Sequence, residues 1–209
     1  MKNDCPNPVP RMRADKHLLD RDAWLNAAAD MVADEGFGQL KILSLSKRLE
    51  VTRGSFYWHF KDHADLINAF LEKWIADRIA EGHAYWKSEN EDPEIRLARA
   101  LEASVRPESD MKSLRIDLAV RDLARRHEHA AKLVAKLDKI RWKQSFELFN
   151  AILQDEDKAW STSLMFNVFV AGGKLLLPTH LNDKQLLDYL KNSLADTLLG
   201  QATLSDKRR

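Results

Sequence analysis

Apolar residues recur at intervals of three and four positions along most of the chain, and no segment alternates apolar and polar residues as a strand would. The first such segment places Trp24, Ala27, Ala28, Met31 and Val32 on one helical face. Glycine occurs 7 times and proline 6 times in 209 residues, fewer than the turns of an all-β protein need. The spacing therefore predicts an all-α fold of about nine helices.

Composition limits the cellular setting. Cys5 is the single cysteine, so an intrachain disulfide or a cysteine zinc cluster is excluded, and a reducing cytoplasm is the simplest compartment. The first residues lack the apolar core of a signal peptide. The most apolar stretch, 164–177, is interrupted by Asn167 and Lys174 and is too short to cross a bilayer. We expect a cytoplasmic protein without a membrane segment.

Helix start and stop signals predict the domain organisation. Asp20, Thr52 and Asp62 each precede a helical pattern and are good N-caps, and glycines at 36 and 38 end the first helix. Two short helices joined by a tight corner, with a third helix packed behind them, form a helix-turn-helix. The predicted units are a flexible basic arm (1–19), a helix-turn-helix domain (20–66, motif about 42–61), a second helical domain (67–203) and a tail (204–209).

Charge is concentrated in the predicted motif. The whole chain carries a net charge of +1, yet the segment 41–61 holds five positive side chains and one acid, Glu50. Its cations are Lys41, Lys47, Arg48, Arg53 and Lys61. A DNA backbone favours such a concentration because phosphate contacts release counterions. A solvated amphipathic helix pair would be the ordinary explanation of the charge alone.

The second helix of the motif is the third along the chain and is predicted over 53–59. It has two distinct faces. Stepping about 100° per residue, Phe56 and Phe60 share the buried face. Gly54, Ser55 and Trp58 then point outward, which suits a helix that is pressed into a groove. Polar donors at its ends and flanks suit phosphates, and these are Thr52, Tyr57, His59 and Lys61.

The stretch from Val51 to Phe60, VTRGSFYWHF, followed by Leu66, resembles the recognition-helix signature of the tetracycline-repressor (TetR) family of transcriptional regulators. The segment from Ala28 to Phe37 is similar to that family's first helix and its Gly-aromatic ending, and RDLAR at 121–125 is also familiar. The resemblance is close over roughly residues 20–75. It implies an N-terminal DNA-binding domain, a helical C-terminal domain, homodimerisation through the last two long helices and, often, a small-molecule inducer.

The resemblance assigns roles within the motif. Base contacts are expected from Arg53, Ser55, Tyr57 and Trp58, and backbone contacts from Lys41, Thr52, Gly54, His59 and Lys61. Three positions depart from the family pattern. Glu50 stands where the corner often has glycine, Lys41 where the second helix often starts with threonine or serine, and His63 where a phosphate-contacting lysine is common. The phosphate role of that lysine passes to Lys61.

Other sites are less favoured by the sequence. A second basic segment, 115–143, has nine cations and four acids, but they are spread over a long stretch and we interpret it as solvated surface. The pairs His59–His63 and His127–His129 lack the geometry of a metal site. No triad or paired carboxylate indicates catalysis, so we expect no enzyme activity, no catalytic residue, no metal and no cofactor.

The C-terminal half predicts two further surfaces. Trp86, Trp142, Phe146 and Phe149 are candidates for a ligand pocket, with core packing as the alternative for each. Candidates for a homodimer interface are Trp160, Leu164, Asn167, Leu187, Leu190 and Leu194, although Asn167 can equally face solvent. The function we predict is regulation of transcription, most simply repression by a homodimer that binds a palindromic DNA operator and is released by a small molecule. The alternative is an architectural or protein-interaction DNA-binding dimer without an inducer.

Overall fold

A computed structural model of the chain describes residues 19–86, 91–104 and 111–176, and the single positions 185, 188, 189, 192 and 193. The described residues form eight α-helices, one 3-10 turn and no strand, as the all-α prediction requires. The helices are α1 (Arg21–Glu35), α2 (Ile42–Arg48), α3 (Arg53–Phe56), α4 (His63–Trp86), α5 (Pro93–Ser104), α6 (Met111–Ala124), α7 (Glu128–Leu153) and α8 (Glu156–Leu176), with the 3-10 turn at Phe37–Gln39. The predicted ninth helix lies mostly outside the described residues, although its five described positions are helical.

The predicted caps fix the ends of the N-terminal helices. The Asp20 carboxylate accepts a hydrogen bond from Ala23 N at 2.7 Å and starts α1, and Gly36 ends that helix with a φ of 76°. The Asp62 carboxylate accepts from Asp65 N at 2.9 Å at the start of α4. Each cap satisfies a backbone N–H that the first turn of a helix leaves without a partner.

The corner between α2 and α3 is closed by a backbone hydrogen bond from Val51 N to Ser46 O at 3.0 Å. Glu50 has a φ of 54°, the left-handed conformation that glycine adopts easily and glutamate does not. The departure from the family's glycine therefore leaves the corner intact, at a conformational cost of about 1–2 kcal/mol.

The third helix is shorter than predicted. Regular α-helix ends at Phe56, whereas the sequence indicated His59. Tyr57 N, Trp58 N and His59 N donate to carbonyls three residues earlier, at 3.0–3.3 Å, so these residues form a tighter turn. Such i→i+3 bonds are common at helix ends, and here they bring the chain round to α4 within a few residues.

One apolar cluster connects the helix-turn-helix to the helices that follow. Trp24, Phe56, Val120 and Leu133 belong to it together, so it joins α1 and α3 to α6 and α7. A second cluster, formed by Ala100, Leu101, Phe149, Ala159 and Phe166, joins α5, α7 and α8. The boundary that we predict between residues 66 and 67 falls inside α4, which runs through both parts without a break.

Candidate nucleic-acid interface

The helix-turn-helix presents an exposed cationic surface. Lys41 lies at the N-cap of α2, and Lys47 lies near its C-terminal end. Arg53 begins α3, and Lys61 follows the turn after it; all four side chains are exposed. We call these four residues, Lys41, Lys47, Arg53 and Lys61, the basic surface. The remaining cation of the segment, Arg48, points to Asp34 of α1 at 3.3 Å.

The start of α3 is held in place by short-range hydrogen bonds. Thr52 caps the helix, since its hydroxyl oxygen accepts from Ser55 N at 3.4 Å, and the Thr52 and Ser55 hydroxyls are 3.1 Å apart. The two hydroxyls therefore face the same side of the helix start. A phosphate or a base edge that approaches this end of α3 would meet both of them.

Arg53 and Tyr57 form a pair on the exposed side of α3. The Arg53 guanidinium donates to the Tyr57 hydroxyl at 3.2 Å and lies 6.0 Å from the centre of its ring. The hydrogen bond and the cation–π contact restrict the arginine before any partner binds. A guanidinium held in one orientation suits bidentate contact with a guanine edge.

The outward and inward faces of α3 agree with the sequence prediction. Phe56 and Phe60 are buried, whereas Trp58 is 86% exposed and Tyr57 is 50% exposed. Gly54 is exposed, and a Cβ built there meets only the Thr52 hydroxyl, at 3.6 Å. Internal packing therefore does not require glycine at this position.

His59 at the end of the motif and His63 at the start of α4 both point into the protein. His59 is half-buried, and its ring centre is 6.2 Å from that of Trp24, so its predicted backbone contact depends on the edge that remains exposed. His63 uses Nε2 to contact the carbonyl of Leu40, at the lead-in to α2. Since His63 is engaged and the Lys61 side chain is exposed, the geometry favours Lys61 for the phosphate role.

The sequence analysis did not include Leu43 among the exposed residues of the helix-turn-helix. Its side chain is 57% exposed, on the same helix as the buried Leu45. The signal was available: Ile42, Leu45 and Leu49 define the apolar face of α2 at helical spacing, and Leu43 lies outside that face.

The second basic segment has a different electrostatic arrangement. Six of its nine cations form ion pairs with acids; these are Arg115, Arg121, Arg126, Lys132, Arg141 and Lys143. Arg121 donates to both carboxylate oxygens of Asp138, at 2.9 and 2.6 Å, and these hydrogen bonds raise the pKa of Arg121 above its usual value. The pairing agrees with the interpretation of this segment as solvated surface.

Residues 25–70 match the model of the bacterial regulatory proteins of the tetR family. This segment of the chain, which contains the helix-turn-helix, is a DNA-binding domain of the TetR type. The matched domain supports DNA-binding transcription regulation as the function. No curated protein matches the sequence significantly.

Solved structures share the TetR fold along most of the chain. A transcriptional regulator from Rhodococcus sp. Rha1 is 17% identical with a TM-score of 0.70, over 87% of this chain and 97% of its own. A TetR transcription regulator from Haloarcula marismortui is 16% identical with a TM-score of 0.68, over 86% and 96%. A protein from Saccharomonospora viridis in complex with choline is 14% identical with a TM-score of 0.70, over 82% and 93%.

The aromatic residues predicted for a ligand pocket lie in different environments. Phe149 is fully buried against Phe166, with ring centres 5.5 Å apart, and Phe146 packs on the same cluster. Trp142 instead contacts Trp160, at 5.5 Å between ring centres. The side chain of Trp86 lies outside the described part of the structure. Phe149 therefore packs in the apolar core, which was the alternative to a place in the pocket lining.

The predicted dimer residues are also divided. Trp160, Leu164 and Val168 are exposed at intervals of four on α8, with Met165 beside them. Asn167 turns the other way, and its side-chain nitrogen donates to the Ser145 hydroxyl at 2.7 Å and to Ser163 O at 2.8 Å, so it joins α8 to α7. Leu187, Leu190 and Leu194 lie outside the described residues.

An open cleft of about 560 Å³ separates the N-terminal halves of α1 and α4, with a mostly charged and polar lining. Its lining residues are Arg21, Asp22, Leu25, Asp65, Asn68, Ala69, Glu72 and Lys73. Within the described ranges, no three His, Cys, Asp or Glu side chains converge as a metal site would need. None of the described helices has the length and apolar character of a membrane span.

Proposed function

We propose that the protein is a cytoplasmic transcriptional repressor that binds a palindromic DNA operator as a homodimer and is released by a small molecule. The observation that carries the proposal is the basic surface around α3, where exposed cations, the capped start of the helix and the outward Trp58 lie together. A patch of this kind attracts the phosphate backbone and leaves the helix side chains free to meet base edges.

The roles within the interface follow the exposure of each side chain. Arg53, Ser55, Tyr57 and Trp58 contact bases, with Arg53 oriented by Tyr57. Lys41 and Lys61 contact phosphates, and Thr52 and His59 add polar contacts at the two ends of α3. Gly54 lets the backbone of α3 approach the DNA closely.

The homodimer is supported by the exposed face of α8. Trp160, Leu164 and Val168 form an apolar stripe that spans about two turns of α8, and such stripes on soluble proteins mark interaction surfaces. A second copy of the same stripe is its simplest partner, because a two-fold axis makes the surface self-complementary. The two recognition helices of such a dimer would reach half-sites about one DNA turn apart.

Release by a small molecule needs a mechanical link between the C-terminal helices and α4. Trp74 on α4 donates its indole N–H to Asp117 of α6 at 2.7 Å, and Arg78 on α4 contacts Ser113 of α6. A ligand that displaces α6 would therefore tilt α4 and change the spacing of the recognition helices. The choline complex of the Saccharomonospora viridis protein supports the idea that this fold admits a small molecule, without indicating which one acts here.

The proposal is tested first by selection from random double-stranded DNA. We expect the wild-type protein to enrich a palindrome, and we expect the Arg53→Ala variant to enrich none. Arg125→Ala, which removes an exposed arginine from the second basic segment, serves as the matched control and should enrich the same palindrome. Enrichment of no palindrome by the wild-type protein would contradict the proposal.

The oligomeric state is tested by light scattering, which should give about twice the chain mass of 24.0 kDa. Leu164→Asp should shift the mass toward the monomer, whereas Ile95→Asp, at an exposed position on α5, should not. A wild-type monomer at micromolar concentration would contradict the dimer.

The alternative function, a DNA-coating or protein-docking dimer without an inducer, differs in its response to small molecules. Under the proposal, one member of a chemically diverse panel raises the melting temperature and lowers operator affinity in the same concentration range. An architectural dimer would show neither effect.

A further inference from the structure

Three large apolar side chains are exposed between residues 19 and 82, and all three belong to the helix-turn-helix. They are Leu43 on α2 and the adjacent Tyr57 and Trp58 after α3. Single exposed apolar residues are common on any protein, but here the three fall within 16 residues and among the cations of the basic surface. Leu43 has no hydrogen-bonding group, so its contribution to a polar interface must come from contact with another apolar group.

The geometry of α2 places Leu43 beside the basic surface. Stepping about 100° per residue, Leu43 lies about 160° from the buried Leu45 and about 140° from Arg48. Because Arg48 reaches Asp34 of α1, the Leu43 side of α2 faces away from α1. Lys47, one turn after Leu43, shares this side and is exposed.

DNA presents one apolar group on a base edge in the major groove, the C5 methyl of thymine. The first helix of a helix-turn-helix crosses the backbone next to the groove that receives the second. A side chain at the N-terminal turn of α2, flanked by the cations Lys41 and Lys47, is therefore suited to contact a base rather than an apolar protein surface. Cations around a leucine would remain desolvated and unpaired against an apolar protein partner.

We propose that Leu43 contacts the methyl group of a thymine in each operator half-site and makes that position specific for thymine. The inference rests on the proposed DNA-binding function and adds a specificity-determining residue on α2. Leu43 is the only side chain that contacts the base at this position, so Tyr57 and Trp58 can contact bases at other positions of the half-site.

The experiment uses the full-length protein and the palindrome obtained by selection. Each thymine of both half-sites is replaced in turn, symmetrically, by deoxyuridine, which lacks only the C5 methyl. A buried methyl contributes about 0.8 kcal/mol, so at one position we expect about fourfold weaker binding per half-site, or about 15-fold for the symmetric operator. Leu43→Ala should bind the deoxyuridine and thymine operators equally at that position.

Leu118→Ala is the matched control, since Leu118 is an exposed leucine on α6, far along the chain from the motif. It should retain the full deoxyuridine effect. The inference fails if the palindrome contains no thymine, if no deoxyuridine operator binds more weakly, or if Leu43→Ala shows the same loss as the wild type at every position. In those cases DNA is still bound and the proposed function stands. If the wild-type protein selects no DNA at all, both fail together.

Discussion

The chain has two segments rich in lysine and arginine, 41–61 and 115–143, and they differ in how their charges are used. In the second segment, six of nine cations lie next to acids, so most of its charge is compensated within the protein. In the first, Arg48 is the one cation with an ion pair among the described residues. Because released counterions favour DNA binding in proportion to the cations that meet phosphate, the smaller patch is the better DNA surface. The suitability of a basic segment for DNA therefore depends on how many of its cations are free of neighbouring acids, and not on its total charge.

The largest expected effect comes from filling the space at Gly54. Gly54→Leu should hold α3 away from the DNA and weaken operator binding by about 100-fold or more, which approaches the non-specific level. Gly54→Ala should raise the free energy of unfolding by about 0.5–1 kcal/mol, because alanine is the better helix former and the site is open. Ala135→Leu, the equivalent enlargement at an exposed site of the second segment, should leave affinity unchanged.

Affinity and melting temperature should be measured for all three variants. A folded Gly54→Leu protein with normal affinity would show that α3 does not enter the groove. An unfolded one would show that the position is needed for packing.

Charge reversal tests the comparison directly. Lys61→Glu should reduce the slope of log affinity against log salt concentration by about 2 in magnitude, one phosphate contact for each copy in the dimer. Lys136→Glu, an exposed lysine of the second segment, should leave the slope unchanged. Binding titrations between about 50 and 200 mM salt resolve such a difference. Equal slopes for the two variants would remove the distinction between the segments.

A smaller effect is expected from breaking the contacts of two arginines, Arg53 with Tyr57 and Arg121 with Asp138. Tyr57→Phe removes the acceptor that orients Arg53 and should weaken operator binding by about threefold per half-site, near the low end for a hydrogen bond. Asp138→Asn removes the negative charge beside Arg121, at a half-exposed site, and should lower the free energy of unfolding by less than about 1 kcal/mol without affecting the operator. If Asp138→Asn reduced operator affinity as much as Tyr57→Phe, the second segment would belong to the interface.

The smallest effect concerns the corner. Glu50→Gly should raise the free energy of unfolding by about 1 kcal/mol and leave operator affinity within about twofold, because glycine adopts the left-handed conformation readily. Gln154→Gly is the control: Gln154 has a φ of 52° at the end of α7, far along the chain from the motif, and should also stabilise the protein. Chemical denaturation measures the free energy of unfolding of both variants. A Glu50→Gly variant that is less stable than the wild type would show that the glutamate contributes contacts worth more than its strain.

The sequence predicted most of what depends on neighbouring residues. The caps at Asp20, Thr52 and Asp62 and the two faces of α3 all follow from spacing and side-chain type. The contacts that sequence reasoning did not find join positions far apart in the chain: His63 with Leu40, Arg48 with Asp34, and Asn167 with Ser145. The early end of α3 was also not predicted: the i→i+3 hydrogen bonds that form the tighter turn over 57–59 leave no signal in the apolar spacing.

The unbroken length of α4 sets the scale of any regulatory motion. Its 24 residues span about 36 Å, with the helix-turn-helix at one end and the C-terminal helices along the rest. A rigid rod of that length amplifies a small rotation: a tilt of about 5° moves its end by about 3 Å, and two such rods in a symmetric dimer change the separation of their tips by about 6 Å. That is nearly a fifth of the 34 Å repeat of DNA, enough to take one recognition helix out of register with its groove. The distance between spin labels on the two copies of α3, measured with and without an effector, reports this amplification directly.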